Sequence, residues 1–96
     1  MANSKIRQSA RGAECQVRYP AYCNRDESTV IFAHKGGAGM GRKNSDLFGA
    51  HCCSSCHDVA DGRVKSVFTQ MEIEVYFYDG IFRTQQILLD KGLIKI

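Results

Sequence analysis

The chain has 96 residues, with 13 Lys and Arg against 10 Asp and Glu and a formal net charge of +3. That length allows one small domain with a marginal core, and the mild positive balance neither demands nor forbids a nucleic-acid partner. No run of about 18 apolar residues occurs, so no segment reads as a membrane-spanning helix.

In chain order, residues 1–12 form a polar, basic arm in which Ser4 can cap a short helix over Lys5–Ala10 and Gly12 ends it. Met1-Ala2-Asn3-Ser4-Lys5 lacks the apolar centre of a secretory signal, so a cytoplasmic setting is expected. Lys5, Arg7, Arg11 and Arg18 gather in this first segment against Glu14 alone. Seven residues separate Cys15 from Cys23 and include the only proline, which suits an irregular knuckle. Asn24–Ser28 is a polar turn, and the β-branched run Thr29–Ala33 reads as a buried strand closed by His34.

Lys35–Lys43 carries four glycines, but their spacing does not match the phosphate-cradling G-x-x-x-x-G-K-[ST] pattern. No nucleotide cofactor is expected. The segment reads as a flap whose backbone can approach a ligand, with Lys35, Arg42 and Lys43 placed to meet phosphates. Phe48–Cys52 returns as a second strand or extended turn. Ser54 or Ser55 can cap a helix running through His57 to about Asp61, with Gly62 as a left-handed stop. Strand, loop, strand and helix make a ββα unit.

In the last third, Glu72–Tyr78 alternates in part like a strand. Val67, Met71, Val75, Tyr78, Phe82, Gln85 and Leu89, however, step by four and three. The longer pattern predicts a helix with most of this stripe in the core, stopped by Lys91-Gly92. Gly80 inside it costs roughly 1 kcal/mol relative to Ala.

Five cysteines in so short a chain point to a covalent or metal staple. Their odd number, the absent signal and the pairing of C-x7-C with C-x2-C favour zinc on Cys15, Cys23, Cys53 and Cys56 over disulfides, and a reducing compartment. Cys52 could replace Cys53 in the set, but its spacing to Cys56 makes a poorer knuckle, and it reads as a small buried apolar residue. Of the histidines, His51 reads as a surface or packing residue. His34 at a strand end is by itself a packing residue, and His57 a packing partner or zinc ligand. Their occurrence in order with the knuckle raises His34 and His57 above those alternatives.

Strand-Ala33-His34, a loop, Asp46-Leu47, then Cys53-Ser54-Ser55-Cys56-His57-Asp58 resembles the HNH, or His-Me finger, nucleases, and looks most like the small phage and prophage nucleases of the YbcO type. The likeness runs from Ala10-Arg11-Gly12 to Lys91-Gly92-Leu93-Ile94-Lys95. It implies a metal-dependent endonuclease acting on DNA in the cytoplasm of a bacterial host. His34 would be the general base. Asp46 would pin the loop bearing that base, and His57 would ligate a catalytic Mg²⁺ or Mn²⁺ beside the structural Zn²⁺. Many such nucleases carry a second ligand just before the base, where this chain has Ala33; Asp58 or a backbone oxygen is the substitute at hand. The alternative is a zinc module that binds nucleic acid without cleaving it. The expected architecture is a single α+β domain: residues 1–12 as the arm, 13–62 as a zinc-stapled ββα core, and 63–96 mainly helical.

Overall fold

The computed structural model describes residues 5–35 and 46–94. The glycine flap, Arg42 and Lys43, and the proposed cap Ser4 lie outside them. The architecture is a small single α+β domain with a two-stranded sheet and a long C-terminal helix. Among the described residues, no helix is long and apolar enough to cross a membrane.

A short helix α1 (Lys5–Gln8) opens the chain, and Gly12 takes a left-handed turn at φ 74° just after it. Strand β1 (Ile31–His34) begins two residues later than its composition predicts. The Asp26 carboxylate accepts from the Ser28 amide at 3.0 Å and its hydroxyl at 2.7 Å, and Thr29 Oγ1 donates to the Asp26 carbonyl at 2.8 Å. These local bonds compete with strand pairing and wind Glu27–Thr29 into one turn of 3₁₀ helix.

β1 pairs antiparallel with β2 (Gly49–Cys52), His34 opposite Gly49 and Ile31 opposite Cys52, and the Lys35 amide donates to the Phe48 carbonyl at 2.8 Å. All four residues of β2 are buried. Its outer edge is covered rather than left open: the Gln16 amide donates to the His51 carbonyl at 2.8 Å, and the His51 amide donates to Thr84 Oγ1 at 3.1 Å. His51 is therefore a packing residue and not a surface one. Its Nε2 lies 3.0 Å from Ser9 Oγ, its Nδ1 finds no partner among the described residues, and burial lowers its pKa from the ordinary 6.5.

Helix α2 (Ser54–Asp61) ends at Gly62, φ 79°, as the sequence predicts. Its cap is Cys53 Sγ, which accepts from the Cys56 amide, and not Ser54 or Ser55. Both serine hydroxyls accept instead from the Asn24 side chain, at 3.0 and 3.1 Å.

Helix α3 (Gln70–Asp90) starts at a capping box in which Thr69 and Glu72 exchange bonds, and Gly92 turns left-handed beyond its end. The helix is where the longer pattern puts it, but its inner face is not the predicted one. Phe77, Gly80, Ile81, Thr84 and Leu88 are buried, whereas Met71, Val75, Tyr78 and Phe82 are exposed. The cause is close approach. A Cβ at Gly80 would sit 2.9 Å from Val17 Cα and 3.1 Å from the Gln16 carbonyl oxygen, so only glycine lets α3 lie against that segment. Thr84 Oγ1 donates to the Gly80 carbonyl at 2.7 Å, and Arg83 Nε donates to the Gln16 carbonyl at 3.1 Å. The small residues thus select the inward face, and the bulky stripe is left outside.

Candidate metal centre and neighbouring cleft

Cys15 and Cys23 lie on an irregular segment in which Arg18, Ala21 and Arg25 all adopt positive φ, at 57°, 69° and 56°. Left-handed backbone costs non-glycine residues roughly 1–2 kcal/mol each, so this path needs fixed ends. The fixed ends are sulfurs. The Sγ atoms of Cys15, Cys23, Cys53 and Cys56 all lie within 4.8 Å of one another, and Cys23 and Cys53 are 3.8 Å apart. A tetrahedral ion with sulfurs at about 2.3 Å has edges of about 3.8 Å, so the donor set and spacing fit zinc.

Backbone amides aim at the cluster: Cys53 N at Cys15 Sγ (3.3 Å), Cys56 N at Cys53 Sγ (3.4 Å) and Tyr19 N at Cys56 Sγ (3.4 Å). Such donors favour thiolate over thiol. Burial pushes the Cys23 thiol up to about 11. Cys56 is driven up first by its hydrogen bond to the Cys15 sulfur, while that sulfur, accepting from Cys52 and Cys56, is held well below the usual thiol range. Four sulfurs so close carry charge together only around a cation. Cys52 stays outside the group, fully buried, its thiol hydrogen-bonded to Cys15 and raised for that reason and by desolvation.

The second candidate site is a cleft of about 90 Å³ between the end of β1, α2 and α3. That is room for an ion and a few waters. His34, Lys35, His57, Asp61, Gln70 and Glu74 line it over Tyr19, Ala33, Ala60, Ile73 and Phe77. His34 is the last residue of β1, its ring edge-on to Phe32 at 5.2 Å. Its Nε2 lies 2.7 Å from Oδ1 of Asp46, which opens a 3₁₀ turn (Asp46–Phe48), and Arg7 Nε donates to the same oxygen at 3.2 Å. Across the cleft His57 Nε2 lies 3.4 Å from Asp61 Oδ2, one helical turn further along α2. Lys35 Nζ is 3.9 Å from Glu74 Oε2 and 5.4 Å from the centre of the Tyr78 ring.

The structure therefore brings His34, Lys35 and His57 to one cleft and sets Asp46 against His34. Arg63 pairs with Asp58 through Nη1 and with Asp61 Oδ2 through Nη2, each at 3.2 Å, and Asp58 does not line the cleft. Asp61 and Glu74 do, and the sequence argument missed both. Asp61 had a readable signal, since His57-x3-Asp61 shares a helix face. Glu74 had none, being carried in by the packing of α3. A larger, open hollow of about 340 Å³ lies beside Cys15 and Cys23, but its charged lining is Glu14, Arg18, Arg25 and Glu27, and no histidine lines it.

Comparison with known proteins now adds to this geometry. Residues 4–93 match a family described as "Putative nuclease YbcO". Members bearing that name in Escherichia coli K12 and in Enterobacteria phage 82 are each 42% identical over 93 residues, covering 94% of this chain and 96% of theirs. The solved structure of a bacteriophage protein from E. coli K-12 MG1655 is 39% identical and superposes with a TM-score of 0.78 over 92% of this chain and 100% of its own. With nearly the whole chain matched, it belongs to the YbcO nuclease family.

Proposed function

We propose that the protein is a metal-dependent endonuclease that hydrolyses phosphodiester bonds in DNA, of HNH type, with a structural zinc on Cys15, Cys23, Cys53 and Cys56. One observation carries the catalytic part: His34, fixed at Nε2 by Asp46, faces a cleft whose opposite wall holds His57 beside Asp61.

Asp46 accepts the Nε2 proton, which leaves Nδ1 of His34 as the nitrogen that takes a proton from the attacking water. The carboxylate then stabilises the imidazolium, while Arg7 holds the carboxylate in place. His57 and Asp61 would hold the divalent ion. Their donor atoms, 3.4 Å apart, are close to the edge of about 3.0 Å spanned by neighbouring ligands of an octahedral ion, which suits Mg²⁺ or Mn²⁺. When bound, such an ion neutralises the scissile phosphate and the departing oxygen. Lys35, with Arg42 and Lys43, supplies cations to the flanking phosphates.

The test is nicking of supercoiled plasmid by purified zinc-containing protein with added Mg²⁺ or Mn²⁺. The wild type is expected to nick, and His34→Ala to nick about 10²–10⁴-fold more slowly at unchanged zinc content and DNA affinity. Undiminished cleavage by His34→Ala ends the base assignment. Protein that binds DNA but nicks with neither ion establishes the non-catalytic zinc module instead.

A further inference from the structure

We infer that the exposed apolar stripe of α3 is the surface through which two copies of this chain associate. Met71, Val75, Tyr78 and Phe82 fall within an arc of about 60° and extend about 17 Å along the helix. They lie opposite the buried face of Phe77, Gly80, Ile81 and Thr84. Their exposures are 76%, 51%, 42% and 65%, and Val67 just before the helix is 82% exposed. Single exposed apolar residues are ordinary, but a contiguous row marks a contact surface.

Three features point to a second copy as the occupant. The first is self-complementarity. Met71 and Val75 are four residues apart, as are Tyr78 and Phe82, so the row reads the same in reverse. Antiparallel packing about a two-fold axis between Val75 and Tyr78 lays Met71 on the partner's Phe82 and Val75 on the partner's Tyr78. Each adaptable or small side chain then meets a ring, and the interface is isologous. The second is area. The five exposures amount to about three whole large side chains, roughly 500–700 Å². Leu47, 41% exposed and tied to α3 through Gln85 Nε2, extends this toward the roughly 800 Å² per partner of a stable interface.

The third is charge. Glu72, Asp79 and Asp90 share the flank beside the stripe with Arg83. That flank repels a phosphate backbone, whereas reversing the helix brings Glu72 of one copy toward Arg83 of the other. A nucleic-acid platform is the poorer fit. The surface goes beyond the proposed cleavage chemistry and meets it only where Lys35 stands over the Tyr78 ring.

Sedimentation velocity on the full, zinc-containing chain across the micromolar range tests the inference. The wild type should sediment as a dimer that dissociates on dilution. Val75→Glu, and separately Phe82→Ser, should weaken the dimer at least about 30-fold, with helicity and zinc content unchanged. A wild type that is monomeric throughout overturns the inference, and so does a dimer that both variants leave intact. Stripe variants that sediment as the wild type does but lose DNA affinity also overturn it, and assign the stripe to nucleic acid.

Discussion

The cysteine cluster and the histidine cleft are neighbours on α2, yet they are built by opposite means. The cluster is buried except at Cys23, which is half-buried, and it is held by four sulfurs and three backbone amides. The cleft is half exposed, and its polar groups come from the end of β1, α2 and α3 as side chains reaching in, with Asp46 holding His34 from behind. A site made of backbone and burial fixes a fold. A site made of partly exposed side chains can exchange water, ions and substrate. Under the proposed function the first holds the fold and the second carries the chemistry, and substitutions on either side should then fail in different ways.

The largest expected effect is on the cluster. Cys23→Ser should release the metal and the cooperative fold together, because metal-binding free energy of roughly 10 kcal/mol or more is folding free energy in such sites. Metal analysis beside a melting curve reads both. Folded protein free of metal would remove the distinction. On the cleft side the reverse should hold. His57→Ala, and more mildly Asp61→Asn, should cut cleavage by at least about 100-fold, about 2.7 kcal/mol of barrier, with zinc content and melting temperature unchanged. Zinc lost on His57→Ala would merge the two sites into one.

Intermediate in size is Gly80→Ala. In an exposed helix this change gains about 1 kcal/mol. Here the new methyl meets Val17 Cα at 2.9 Å beside the Cys15 segment, so a loss of about 1–3 kcal/mol is expected in denaturant melts. A gain would show that the wall behind the cluster is soft. The smallest effect belongs to the cleft rim. Neutralising Lys35 should flatten the salt dependence of DNA binding by about one unit of log-log slope, with Arg42 and Lys43 each adding a similar decrement.

The four-cysteine cluster was legible because its chemistry is written in short spacings. C-x2-C brings two sulfurs to one turn whatever the rest of the chain does. Gly62 and Lys91-Gly92 were legible for the same reason, as local stops. What could not be read depends on partners distant in sequence. The inward face of α3 is chosen by its fit to Gln16 and Val17, so counting bulky residues favoured the wrong side. Glu74 enters the cleft only because α3 packs there. The late start of β1 is a local competition that the sequence does state, in Asp26-x-Ser28-Thr29, although strand propensity concealed it.

The order of the ligands along the chain also sets a timetable. Cys23 precedes Cys53 by 30 residues, so at roughly 5–20 residues per second the first half of the cluster leaves the ribosome a few seconds before the second. Cys56 then completes the set of four cysteines while Glu74 and Phe77, which close the far wall of the cleft, are still in the exit tunnel. All four cysteines of the cluster are thus available during synthesis, and the walls of the cleft only after them. A nascent chain that stalls short of α3 has all four cysteines of the cluster but lacks the wall of the cleft that Glu74 and Phe77 form.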